Sequence, residues 1–370
     1  LSGFGLQVNV WTLNVILPVG ISFYTFHGLS YVIDIYKGRI KAEKNFIDYS
    51  LFVSFFPLLV AGPIERATHL LPQIKKERFF DYNNAVDGVR QILWGLFKKV
   101  VIADTCAVYA NAIFDNYTSM NSFSLILGAI YFAFQIYGDF SGYSDIALGV
   151  SKLFGLDLLR NFNYPYFSRD IAEFWRRWHI SLSSWFRDYL YIPLGGSKGG
   201  LWMKIRNTFI IFIVSGFWHG ANWTYVVWGL INAIYFLPLL LSSSNRNNMG
   251  AIELKFNFDS VRVIMSILYT FLLTCVAWVF FRARSISDAV LYLKRIITDG
   301  SFKAQYLSNE RYNYELLALI GIFVLVEWNN RDKIEPLSGK RNMLKLALAI
   351  TAIIAFGTYS DYKEFIYFQF

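Results

Sequence analysis

Charge is what this sequence has least of. Only 16% of its 370 residues are Asp, Glu, Lys or Arg, against about 25% in a typical soluble domain. Cysteine is nearly absent as well. Cys106 and Cys275 each lie inside an apolar run and form no CxxC or Cys/His cluster, so both read as packing residues and say nothing about redox compartment. The four histidines, His27, His69, His179 and His219, are widely scattered, and neither HxxxH nor HExxH occurs, so no metal site is expected. A Walker A loop, a GxSxG elbow and a Rossmann fingerprint are all missing. There is no internal repeat, and "SSSNRNNMG" at 242–250 is the one obvious polar linker. No cleavable signal with a basic n-region is visible; the chain begins at Leu1, and upstream helices are expected to be missing.

What remains is apolar. Hydrophobic residues make up 55% of the chain and aromatic residues 19%, and the mean hydropathy is +0.37. Runs approaching the 17–25 residues needed to cross a bilayer recur at 13–36, 86–112, 122–138, 203–219, 222–242, 261–281, 314–328 and 343–357. The fold class implied is an all-α, polytopic transmembrane protein, and the whole chain, 1–370, reads as one integral-membrane domain. Segment 46–64 is apolar too, but Pro57 and Gly62-Pro63 break it, which suits a re-entrant element surrounded by protein. The net charge of +9 does not point to nucleic acid, because the basic residues sit between the apolar runs, where the positive-inside rule puts them in cytoplasmic loops. The lipid bilayer is the partner they imply, and the Lys- and Arg-free loop 115–122 then falls outside. Arg282 and Arg284 fall on that outer side as well, against the rule.

Four stretches carry candidate chemistry. In 167–196, apolar residues from Ile171 to Leu190 recur at helical spacing opposite Arg176, Arg177, Arg187 and Asp188, so an amphipathic helix too charged to span is expected to run to Pro193. His179 projects at the margin of its apolar stripe. Such a helix also suits the membrane interface, with its arginines as headgroup anchors. In "YGDFSGYSD" (137–145), Asp139, Ser141 and Asp145 read either as a polar channel wall or as ion pairs with Arg169 or Arg176. "AGPIER" (61–66) reads as a structural turn. His219, in "VSGFWHGANW", ends an apolar run between Trp218 and Gly220; burial keeps such an imidazole neutral, the form that can accept a proton.

Taken together, "AGPIER", "DFSGYSD", "FWRRWHISLSSWFRDYLYIPLGG" and "GFWHGANWTYVVWG" resemble the membrane-bound O-acyltransferase (MBOAT) family, in particular its bacterial AlgI-like polysaccharide O-acetyltransferase branch, related to peptidoglycan O-acetyltransferases and D-alanyl transferases. The resemblance covers nearly the whole chain. It implies tilted helices around a central tunnel, with re-entrant and interfacial helices. It also implies an O-acyltransferase that moves an acyl group, most simply acetyl, from a cytoplasmic thioester such as acetyl-CoA toward an exported polysaccharide. No bound cofactor is implied. The family's essential histidine falls on His219 and its second polar position on His179. Asp139, Ser141, Asp145, Arg176, Arg177, Trp178, Arg187, Trp218 and Asn222 are the candidate substrate-binding residues. The implied partner is an SGNH-type acetyltransferase outside the membrane, and the implied location is the bacterial cytoplasmic membrane. Asn232 stands where such proteins often carry a further histidine. A polytopic transporter and a non-catalytic scaffold are the alternatives; transporters often show inverted repeats, which are absent here.

Overall fold

A computed structural model describes residues 20–252, 258–301, 313–333, 336–337 and 343–359. The first residues of the 13–36 run lie outside them, as do residues 360–370. Every regular element among the described residues is helical. Helix α1 (Ile21–Tyr36) starts from Gly20 in the left-handed region (φ 78°); a Cβ there would fall 1.7 Å from the Leu59 carbonyl oxygen, so only glycine allows this close entry. Helix α2 (Phe46–Ser54) is capped by the Asn45 side chain. It stops before Pro57, and 59–66 continues without helix, its residues 61–65 buried in protein. The break read from Pro57 and Gly62-Pro63 is thus present, with protein around it.

Helices α3 (Ala67–Lys75), α4 (Tyr82–Leu96) and α5 (Asp104–Asp115) follow, with a wider π-type segment, Phe97–Ala103, joining α4 to α5. Helix α6 (Ser122–Leu153) is 32 residues long, about 48 Å, and packs against α4, α5 and α11 as a central post. It is much longer than the 122–138 run, and "DFSGYSD" lies within it rather than after it. Glycine accounts for this: a Cβ on Gly95 of α4 would meet the Gly142 carbonyl at 2.6 Å. Backbone-to-backbone packing, open only to small residues, outweighs glycine's poor helix propensity here.

The expected single amphipathic helix within 167–196, ending before Pro193, is not what forms. Two short helices, α7 (Ile171–Arg177) and α8 (Ile180–Phe186), are separated by a break at Trp178 and His179, and a π-type turn, Arg187–Tyr191, follows. His179 is left-handed, φ 44° and ψ 55°. The cause is non-local. Residues 161–163 run alongside and take the backbone bonds, Asn163 N–H to Arg177 O and Ile180 N–H to Asn161 O, both 2.9 Å.

Helices α9 (Gly200–His219), α10 (Trp223–Leu241), α11 (Phe258–Arg282), α12 (Ile286–Thr298), α13 (Asn313–Asn329) and α14 (Met343–Phe356) complete the bundle. Among the described residues, α6, α10 and most of α11 are long and apolar enough to cross a membrane. Helix α12 belongs to no anticipated span; it starts at a Ser285 cap and is amphipathic. Both cysteines are buried.

Candidate active site

His219 is the last residue of α9, and the chain turns at once into α10. Asn222 fixes that turn: its Oδ1 accepts the Thr224 N–H (3.0 Å) and its Nδ2 donates to the Arg284 carbonyl (3.0 Å). Arg282 bonds Asn111 and Arg284 pairs with Asp115, which places both arginines at the same end of the bundle as the 113–121 loop. The partly exposed His219 ring sits among Trp218, Trp228 and Phe281, with ring centroids 4.7, 5.1 and 5.2 Å away.

His179 arrives from another element. It does not lie at the margin of an exposed helix; it is 1% exposed, and neither ring nitrogen has a hydrogen-bond partner among the described residues. The Phe140 ring of α6 lies 4.6 Å from it and Trp218 6.3 Å. Trp218 therefore touches both imidazoles, and Phe26 of α1 closes on Trp218 at 5.3 Å. Trp178 is buried beside Trp278 at 5.1 Å, and Trp278 stacks on Trp228. Two histidines 40 residues apart thus share one aromatic chamber built from α1, α6, α9, α10 and α11.

The aspartates go elsewhere. Asp139 pairs with Lys99 (2.7 Å), which also holds Asp104 (2.8 Å). Asp145 pairs with Lys98 (2.7 Å) and accepts from Gln91. Lys98 also lies 3.8 Å from Glu327, which accepts a hydrogen bond from the Tyr137 hydroxyl at 2.8 Å. Both aspartates are paired, but with lysines rather than with the arginines named above: Arg169 holds Glu173 and Arg176 reaches the carbonyls of Asn245 and Asn248. Lys98 and Lys99 were missed as site-shaping residues, although two adjacent lysines inside the 86–112 apolar run are a visible signal. Ser141, next to Phe140, is buried.

The arginines divide similarly. Arg177 pairs with Glu173; burial alone would raise that carboxyl, yet Arg169 and Arg177 hold it below its ordinary range. Arg187 is exposed, pairs with Asp188 and borders a cavity of about 270 Å³ whose walls include Trp175, Leu182, Phe186, Ser215 and Arg246. Ser215 lies one turn before His219, so the cavity approaches the chamber. Asn232 takes a hydrogen bond from the Trp175 indole (3.2 Å) and donates to the Trp228 carbonyl. In "AGPIER", Glu65 bonds His69 and the Leu159 N–H, and Arg66 bonds Asp188 and Ser184. Among the described residues no group of three His, Cys, Asp or Glu is arranged to hold a metal ion.

The sequence model of the membrane-bound O-acyltransferase family matches residues 37–281, a span that contains both histidines and most of the chamber. The chain belongs to the membrane-bound O-acyltransferase family. As an MBOAT protein with this helical build it is a multi-pass membrane protein. It is 39% identical over 313 residues to the Pseudomonas aeruginosa protein named probable alginate O-acetylase AlgI, an alignment covering 83% of this chain and 56% of that protein. It is 39% identical to a Helicobacter pylori peptidoglycan O-acetyltransferase, covering 81% and 60%. To a Bacillus subtilis teichoic acid D-alanyltransferase it is 30% identical, covering 60% and 58%. The chain spans little more than half the length of these MBOAT relatives.

Proposed function

We propose that this protein, one integral-membrane unit, is an O-acyltransferase that takes an acetyl group from a cytoplasmic thioester, acetyl-CoA in the simplest case, toward an exported cell-surface polysaccharide. The observation that carries the proposal is the meeting of His179 and His219 around Trp218 in a chamber otherwise made of aromatic rings. Names of MBOAT relatives that act on alginate, peptidoglycan and teichoic acid support the class of acceptor.

In this mechanism His219 takes the proton of the incoming hydroxyl as its oxygen attacks the thioester carbonyl. The C–S bond breaks, and the departing thiolate recovers the proton from the imidazolium. His179 donates its one N–H to the oxyanion that develops on the carbonyl, and such a donor is worth about 2.7–4 kcal/mol when preorganised. The aromatic walls keep water from competing for the acyl group. The donor's arm approaches along the 270 Å³ cavity, where Arg187 and Arg246 meet its phosphates. Arg176 and Arg177, already engaged with carbonyls and Glu173, hold the wall of that route. Asn222 fixes the turn beyond His219, and Trp178 packs the chamber. Asp139 and Asp145 support α6. The attacking hydroxyl belongs to a carrier reached from the far side, an SGNH-type partner outside the cytoplasmic membrane in the simplest case, whose acetyl ester then passes to a glycan hydroxyl and frees the carrier hydroxyl again.

Membrane vesicles supplied with acetyl-labelled acetyl-CoA on the cytoplasmic face test this. Label recovered as alkali-labile ester on glycan, only in vesicles carrying the protein, is the expected result. Label that crosses without becoming ester-linked would overturn the proposal in favour of transport.

A further inference from the structure

The His179 backbone is left-handed, a region a non-glycine residue keeps only when its surroundings hold it there. Its neighbours show what does so. Asn161, 0% exposed, accepts the Ile180 N–H on its carbonyl at 2.9 Å. Its side-chain Oδ1 accepts the Ser181 hydroxyl at 2.6 Å, and its Nδ2 donates to Ser144 Oγ on α6 at 3.1 Å. Ser181 Oγ in turn accepts the Ile64 N–H at 2.9 Å. The strip containing Asn161 is anchored two residues earlier, where Glu65 takes the Leu159 N–H, and Glu65 donates its own N–H to His27 Nε2 at 3.1 Å. Ser144, Ser181 and Glu65 are all buried. The imidazole these bonds flank has no hydrogen bond of its own among the described residues, so its direction is set through its backbone and its aromatic neighbours.

We infer that Asn161 is a positioning residue for His179, fixing the left-handed turn through Ile180 and Ser181 while "AGPIER" holds the strip that carries it. The inference rests on the role proposed for His179. It gives the 61–66 segment, otherwise a plain turn, a part in the acyl-transfer site: Ile64 and Glu65 form the back of the clamp.

The test is a double-mutant cycle on the full chain in native membranes, with acetyl-CoA as donor probe and the membrane's own glycan as acceptor. The singles are Asn161→Ala and His179→Gly; glycine adopts the left-handed region without strain, so the second removes the N–H donor and keeps the turn. Asn161→Ala is expected to lower kcat roughly 10- to 100-fold, the scale on which a displacement of about 1 Å acts, with the donor KM nearly unchanged. In the His179→Gly background it is expected to cost nothing more, because no imidazole is left to aim. An equal cost in both backgrounds overturns the inference and leaves Asn161 a packing residue. If His179→Gly alone leaves the rate unchanged, the proposed role of His179 fails first and the inference with it. Ser181→Ala and Ser181→Thr repeat the test with a smaller change to the core: loss with alanine and retention with threonine, at matched protein level, is expected, and equal rates for the two overturn it.

Discussion

Neighbouring residues of α6 face two different interiors. Asp139 and Asp145 meet Lys99 and Lys98 at 2.7 Å, inside a network that takes in Asp104, Glu327, Tyr137 and Gln91. Phe140 meets His179, whose ring nitrogens have no partner among the described residues. The first interior is rich in charge and well paired; the second has almost no charge and holds an imidazole available to a reactant. An ionisable side chain in a membrane segment is by default a functional candidate, but charge in a low-dielectric interior persists only when it is paired. On the function proposed here, the unbonded imidazole rather than the paired charge marks the reacting centre.

That contrast breaks first at Lys98. Replacing it with methionine strands Asp145 and Glu327, and removing one member of a buried pair costs about 3–5 kcal/mol; a large drop in the melting temperature of the detergent-solubilised protein is expected. An unchanged melting temperature would dissolve the distinction between the two interiors. His179→Gly sharpens it from the other side. Acetyl transfer per molecule is expected to fall roughly 10²-fold, as for loss of one oxyanion donor, while the melting temperature followed by circular dichroism falls less than for Lys98→Met, because no buried charge loses its partner.

A smaller effect is expected at the edge of the clamp. The hydrogen bond and charge of Glu65 raise the pKa of His69, which is partly exposed. A raised folded-state value means that the charged pair stabilises the protein fully below the unfolded pKa of about 6.5 and loses that contribution as pH rises through the folded value. His69→Gln is therefore expected to melt below wild type at acidic pH, and the gap to close on going alkaline. A gap that widened with pH would reverse the assignment.

Much of this was legible in the chain and some was not. The apolar runs locate α4 to α6, α9 to α11, α13 and α14 because spanning length is a local property. The Gly62-Pro63 break and the place of His219 at a helix end are also local. The left-handed turn at His179 was invisible, since a 100° helical projection assumes the helix continues; the bonds that stop it come from Asn161 and Asn163, well over ten residues away. The partners of Asp139 and Asp145 were misassigned for a similar reason. Arg169 and Arg176 are nearer in sequence, but the glycine contact between Gly95 and Gly142 draws α4 and its lysine-bearing continuation against α6. Helix α12 escaped because it is amphipathic and only 13 residues long.

The central claim is that the aromatic chamber around His219 performs the acyl transfer. The most direct test is glycan-linked acetate per molecule of membrane protein in cells whose only copy is wild type or His219→Ala, with protein levels matched by immunoblot. Loss of a positioned general base costs about 10²–10⁴-fold, so acetate is predicted to vanish while the protein accumulates normally. Acetate at the wild-type level in the His219→Ala cells would contradict the account and return His219 to the packed interior.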